Sequence, residues 1–123
     1  MAEQSQFFDQ DAIAFEAHAG VHIYTLPDGS ELDPPNSTTL RDRLLHTFNE
    51  RSATSLVLDL SGVEYMDSTA LGVLVGSLKK CREREINLVI DIAGVNSSNL
   101  GKIFRVTGLE RVFNIQLGRS QEP

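Results

Sequence analysis

The sequence predicts an α/β fold: one domain in which a mixed β-sheet carries packed helices, in the order β-β-α-β-α-β-α-β. Three observations predict it. Apolar runs of strand length alternate with stretches of helical period. The first two strand patterns are separated only by Ala19-Gly20, which suits a hairpin. The 123 residues, 41% of them hydrophobic, suffice for one core but not for two. Strands joined through helices favour parallel pairing and a hairpin must be antiparallel, so the sheet is mixed.

Ile13, Phe15 and Ala17 alternate with Ala14, Glu16 and His18, a strand of period two. Val21 to Leu26 reads as its partner, giving a hairpin over residues 12–26. Pro27-Asp28-Gly29 and then Pro34-Pro35 break the pattern and predict a loop of about ten residues, long for a compact domain. A helix is predicted to start at Ser37 or Thr38. Leu40, Leu44 and Phe48 recur at every fourth position, Leu45 widens the apolar face, and Arg41, Asp42, Arg43 and Glu50 take the solvent side. Leu56 to Leu60 has the composition of an interior strand, ended by Gly62. A second helix runs from Asp67 or Ser68 to Glu83, with Leu71, Leu74, Val75, Leu78 and Cys81 on its apolar stripe. Ile86 to Ile92 is another strand. Ser97 or Ser98 caps a third helix carrying Leu100, Ile103, Phe104 and Val106, stopped near Gly108, and Val112 to Leu117 alternates as the last strand.

The net charge of -6 disfavours nucleic acid, whose phosphates require a dense basic face. The expected partner is a protein. No apolar run approaches the roughly 20 residues that span a bilayer, and Met1 to Gln6 lacks the basic and apolar regions of a signal peptide. Cys81 is the only cysteine, so no internal disulfide is possible. A cytoplasmic location is the resulting expectation. No GxGxxG, Gly-Lys-Ser/Thr, CxxC, HExxH or Gly-x-Ser-x-Gly pattern occurs, so no cofactor, metal or catalytic residue is expected. His18 and His22 lie four apart, but the intervening turn removes the helical reason for that spacing; surface or hairpin histidines are expected. Cys81, on an apolar stripe, is expected to pack in the core.

One junction is unusual. Leu58-Asp59-Leu60-Ser61-Gly62 leads through Val63-Glu64-Tyr65-Met66 into Asp67-Ser68-Thr69-Ala70-Leu71-Gly72, placing Asp-Ser-Thr at the start of an amphipathic helix. Two readings fit. Asp67 or Ser68 caps the helix, which by itself accounts for these residue types. Alternatively, a hydroxyl in the first turn, where positive partial charge and free N–H groups gather, is a place where phosphate is tolerated without loss of the fold.

The junction resembles that of the STAS domain family, and within it the bacterial anti-sigma-factor antagonists. The family pattern is a strand ending in Asp-Leu-Ser, then aromatic-hydrophobic-Asp-Ser-Ser/Thr-Gly-Leu-Gly. It stands here as Asp59-Leu60-Ser61 and Tyr65-Met66-Asp67-Ser68-Thr69-Ala70-Leu71-Gly72. The family's Gly-Glu-Leu-Asp loop is matched by Ser30-Glu31-Leu32-Asp33, and its closing stretch by Ile103 to Phe113. The resemblance covers residues 12–117, within one domain spanning 1–123 with polar termini. It implies that Ser68 is the phosphoacceptor, with Thr69 the secondary candidate. It further implies a partner surface made of Asp33, Asp67, Ser68, Thr69, Ala70, Leu71 and Gly72. The implied partners are an anti-sigma factor with serine kinase activity, bound by the unphosphorylated form so that the sigma factor is freed, and a PP2C-type phosphatase that resets the cycle. No enzymatic activity of the chain itself is implied. The resemblance also admits a non-switching STAS interaction subunit of a stress-sensing or lipid-transport assembly. Ala70 and Ser30 replace family glycines: the first is expected to alter the surface beside Ser68, and Pro34-Pro35 to stiffen the loop after Asp33.

Overall fold

The computed structural model of the chain describes residues 10–92, 102, 106, 108 and 114–116. Its strands are β1 (Ala14–His18), β2 (Val21–Thr25), β3 (Ser30–Leu32), β4 (Ser55–Asp59), β5 (Val63–Met66), β6 (Asn87–Asp91) and β7 (Asn114–Gln116). Helix α1 spans Pro34–Phe48 and α2 spans Ser68–Arg84. The main sheet has the order β1-β2-β4-β6-β7 and is mixed as expected: β1 and β2 form the antiparallel hairpin, and every other neighbouring pair is parallel. Of the stretch expected as a third helix, Lys102 and Val106 are helical and Gly108 lies in a turn; its other residues fall outside those described.

Alternate residues of the interior strands point to the helices. The register sets Tyr24, Leu58 and Ile90 in one row across the sheet and His22, Leu56 and Leu88 in the next. Leu40 and Leu44 of α1 and Leu74 and Cys81 of α2 are buried in the same core. Fully burying a side chain of this size contributes roughly 1.5–3 kcal/mol, so these rows hold the helices on the sheet. Cys81 is core packing as expected, and burial pushes its thiol up to about 11, so it stays protonated at neutral pH.

Several sequence expectations are corrected. Helix α1 starts at Pro34, not at Ser37 or Thr38, because a proline at the first helical positions gives up N–H groups that have no partner there and brings a helical φ. The prolines therefore open the helix instead of lengthening the loop. Ser37 is buried, its hydroxyl donating to Pro34 O at 3.1 Å. Part of the expected loop is strand β3, which pairs in parallel with β5 as a separate two-stranded sheet. Leu45 and Val75, expected on apolar faces, are 48% and 46% exposed.

His22, expected as a surface or hairpin histidine, lies on the hairpin strand β2 and is only 4% exposed. It falls on the helix side of β2, with Nδ1 2.6 Å from Thr47 Oγ1; Tyr24 Oη lies 2.7 Å from the same oxygen. One hydroxyl can donate to one of these groups and accept from the other. The His22 ring stacks on His46, Phe15 meets both edge-on, and the Arg43 guanidinium lies over Phe15 and Tyr24 instead of facing solvent alone. Burial, then the neighbouring His46 ring, holds His22 below its ordinary pKa of 6.5, against the opposing pull of Glu50. With the folded pKa depressed, the unfolded chain takes up the proton first as pH drops. Stability from this site is therefore full above 6.5 and is lost as pH falls through 6.5 toward the lower folded value. Thermal melts between pH 7.5 and 5.5 are expected to show a falling midpoint, with a shallower slope in His22→Gln. Equal slopes would contradict this assignment.

Candidate functional site: two helix starts side by side

The geometry that matters begins at a tight clamp. Asp59 ends β4, and its carboxylate accepts the Ser61 N–H at 3.1 Å and the Ser61 hydroxyl at 2.6 Å, turning the chain toward β5. At the next residue, Gly62, the chain passes against Asp28: a Cβ there would lie 2.5 Å from Asp28 Oδ1 and 2.8 Å from its Cα. Only glycine allows this approach. The Gly29 N–H donates to Gly62 O at 2.7 Å, locking the two turns together. From there β3 runs beside β5, with Leu32 opposite Met66 and the Asp67 N–H donating to Leu32 O.

Both strands then lead directly into helices. Asp33 follows β3 as the N-cap of α1, and Asp67 follows β5 as the N-cap of α2. The register places these two caps at equivalent positions on neighbouring strands, so the helix starts lie side by side. Thus the pairing brings the Ser30–Asp33 motif and the Asp67–Gly72 motif, distant in sequence, to one place.

The two aspartates are used differently. Asp67 Oδ1 accepts the Ala70 N–H at 3.1 Å, an ordinary cap. Asp33 makes no side-chain cap bond; Pro34 and Pro35 at the first two helical positions remove one of the two N–H groups such a bond uses. Among the described residues, Asp33 Oδ1 is buried and has no hydrogen-bond partner. Asp67→Ala is therefore expected to cost about 1 kcal/mol of stability. Asp33→Ala, with no cap bond to lose, should change it by less than about 0.5 kcal/mol. Urea titrations of both variants against the parent check the contrast.

Ser68 and Thr69, the first two residues of α2, are exposed. Their N–H groups belong to the four that a helix start leaves without an intrahelical acceptor, in the region of positive partial charge. Ala70 is only 1% exposed, so its methyl packs inward; the altered surface expected beside Ser68 is not found. Leu71 is half-buried and Gly72 exposed. Ser30, in the place of the family's loop glycine, is buried on β3 with no partner for its hydroxyl among the described residues. One residue was missed: Tyr65, two positions before Asp67, is 49% exposed. Strict alternation from the inward Val63 would bury Tyr65; the irregularity between Val63 and Tyr65, visible only in the strand pairing, turns it outward.

The described residues hold no group of three or more His, Cys, Asp or Glu side chains placed to bind a metal, and no helix among them is long and apolar enough to cross a membrane. The sequence profile of the STAS domain matches residues 12–121. The chain belongs to the STAS domain family. A STAS relative, the anti-sigma-B factor antagonist of Staphylococcus epidermidis, is 33% identical over 100 residues, covering 81% of this chain and 89% of that protein. The crystal structure of an anti-sigma factor antagonist from Mycobacterium paratuberculosis superposes with a TM-score of 0.73 at 22% identity, covering 89% of this chain and 87% of that one. SpoIIAA, a Bacillus cell fate determinant solved in its phosphorylated form, superposes with a TM-score of 0.66 at 14% identity, covering 89% and 95%. At these identities the two structural likenesses show a common STAS fold.

Proposed function

We propose that this STAS protein is an anti-sigma-factor antagonist, a regulatory binding protein that needs no catalysis of its own. In this reading the unphosphorylated form binds an anti-sigma factor with serine kinase activity and frees the sigma factor. Phosphorylation of Ser68 releases the partner, and a PP2C-type phosphatase restores the binding form. The observation that carries the reading is the apposition of the helix starts: one opens on the exposed Ser68, and the other is preceded by Asp33, whose buried Oδ1 has no hydrogen-bond partner among the described residues. Such a carboxylate gains more from a donor on a partner than from any group in its own fold. The name of the Staphylococcus relative supports the partner class. The phosphorylated SpoIIAA structure, which keeps this fold, supports a phosphate that does not disrupt it.

Asp33, Asp67, Ser68, Thr69, Leu71 and Gly72 form the proposed contact surface, with Ala70 contributing through its backbone. Tyr65 joins them, since tyrosine is among the residues that anchor interfaces most strongly. The test uses the chain, its candidate kinase and ATP. Intact-mass spectrometry should show one added phosphate on the parent and none on Ser68→Ala. Undiminished labelling of the alanine variant would move the acceptor elsewhere, with Thr69 next. In a binding titration Asp33→Ala should weaken the kinase complex despite its unchanged stability.

A further inference from the structure

The helix pair carries a second surface, which meets the proposed contact surface at Gly72 and runs from there along α2 away from Ser68. Between α1 and α2 runs an open groove of about 240 Å³ lined by Arg41 and Leu45 of α1 and Gly72, Val73, Gly76 and Lys80 of α2, among others. It is too small for most small-molecule ligands, whose pockets run to roughly 300–1,000 Å³. It has room instead for a few side chains of a larger partner.

We infer that this groove takes an amphipathic helix from a protein partner, with its apolar stripe flanked by Asp or Glu. The groove floor offers Val73 and Phe48, and Leu45 stands half exposed on its edge. Among the described residues, the charged side chains that line it are Arg41 and Lys80, one from each helix, with no carboxylate. On a chain of net charge -6 this is a local reversal of sign, and it selects an acidic partner. Arg41 spends one contact on Asp42, an exposed pair at 3.4 Å, which leaves most of its donors free. A Cβ at Gly72 or Gly76 would meet nothing within 4 Å, so α2 presents bare backbone over one turn and a second helix can approach closely. From Gly72 to Lys80 the groove runs about 12 Å, two turns of such a helix.

The same features argue against other occupants. Two copies placed groove to groove would set Arg41 and Lys80 against each other. A lipid surface would find little apolar area to bury, since Leu45 and Val75 are the large apolar side chains exposed on the two helices.

A display library of 16-residue helical peptides, with a fixed apolar stripe and randomised flanks, tests the inference against the full chain. Selected peptides should be enriched in Asp and Glu at the flanks. In anisotropy titrations Gly76→Leu should weaken them at least tenfold, and Lys80→Glu at least threefold, with the circular dichroism melts of both variants retained. Lys80→Glu should still take one phosphate from the candidate kinase and ATP, so the groove and the proposed Ser68 switch succeed or fail separately. Basic or random flanks, no selected peptide, or equal binding by Gly76→Leu would overturn the assignment. So would a chain that instead dimerises through the groove or binds phosphatidylglycerol vesicles in a Gly76→Leu-sensitive way.

Discussion

Phosphate on Ser68 is expected to lower the affinity for the anti-sigma factor by at least two orders of magnitude while leaving the fold intact. Two terms compete. At a helix start a negative charge stabilises by roughly 0.3–1 kcal/mol, through the dipole and the free N–H groups. Asp67 and the neighbouring Asp33 offset part of that gain, so the net effect on folding is small. In the complex, the phosphate brings about -1.5 to -2 charge into a surface fitted to a neutral hydroxyl. It must be desolvated there, beside two carboxylates, and the cost is several kcal/mol. At about 1.4 kcal/mol per tenfold, a loss of only 2.8 kcal/mol already amounts to a hundredfold. The interface term wins. Ser68→Asp should reproduce part of the loss, having less charge and a shorter reach, and Ser68→Ala should bind and resist release by ATP. Calorimetric titration and circular dichroism on modified and unmodified protein decide the matter: equal affinities would refute the switch, and a collapsed spectrum would refute its mechanism.

Gly62→Ala is expected to have the largest effect of any single-methyl change in this region, on stability and on the site together. The new Cβ would stand 2.8 Å from Asp28 Cα, and a backbone atom cannot rotate away as a side-chain tip can. Relief requires the Pro27–Gly29 turn to move off Gly62, stretching the Gly29 N–H bond to Gly62 O. Overpacking of this kind costs about 1–3 kcal/mol. Since the same clamp aligns β3 with β5, Asp33 should shift relative to Ser68 and partner affinity should fall beyond what the stability loss explains. Gly29→Ala is the control: its φ of 75 strains any side chain, but the nearest atom to its Cβ is Glu64 Oε2 at 3.9 Å. It should lose about 1 kcal/mol of stability with affinity unchanged. Denaturant unfolding with binding at a temperature where both variants are folded separates the two effects.

Much of this was legible in the residues. The start of α2 was readable because Asp67 caps it and the apolar stripe follows at helical period. The hairpin and the interior strands β4 and β6 were readable from their apolar runs and the turn at Ala19-Gly20. Other features were misread for identifiable reasons. A proline pair signals a break or a helix start equally well, and only the cap geometry at Asp33 shows which. His22 reads as a surface or hairpin residue, and only the parity of β2, set by Tyr24 and Leu26, shows that it turns inward beside Thr47. Strand β3 is three residues long, too short to show a period.

What the residues determined by themselves was the local order of the hairpin, the interior strands and the two helices, their main apolar positions, and that α2 opens at Asp67 or Ser68. Those properties rest on spacings of two to four residues and on single capping side chains, which act along the chain. Only the tertiary structure decided that the starts of α1 and α2, at Asp33 and Asp67, lie on neighbouring strands, and that α1 and α2 enclose a groove lined by Arg41 and Lys80. Both depend on segments some thirty residues apart coming together: Gly62 against Asp28, Leu32 beside Met66, Phe48 and Val73 lining one groove. No local pattern carries such pairings, because they form only when burial of the shared core brings the segments together.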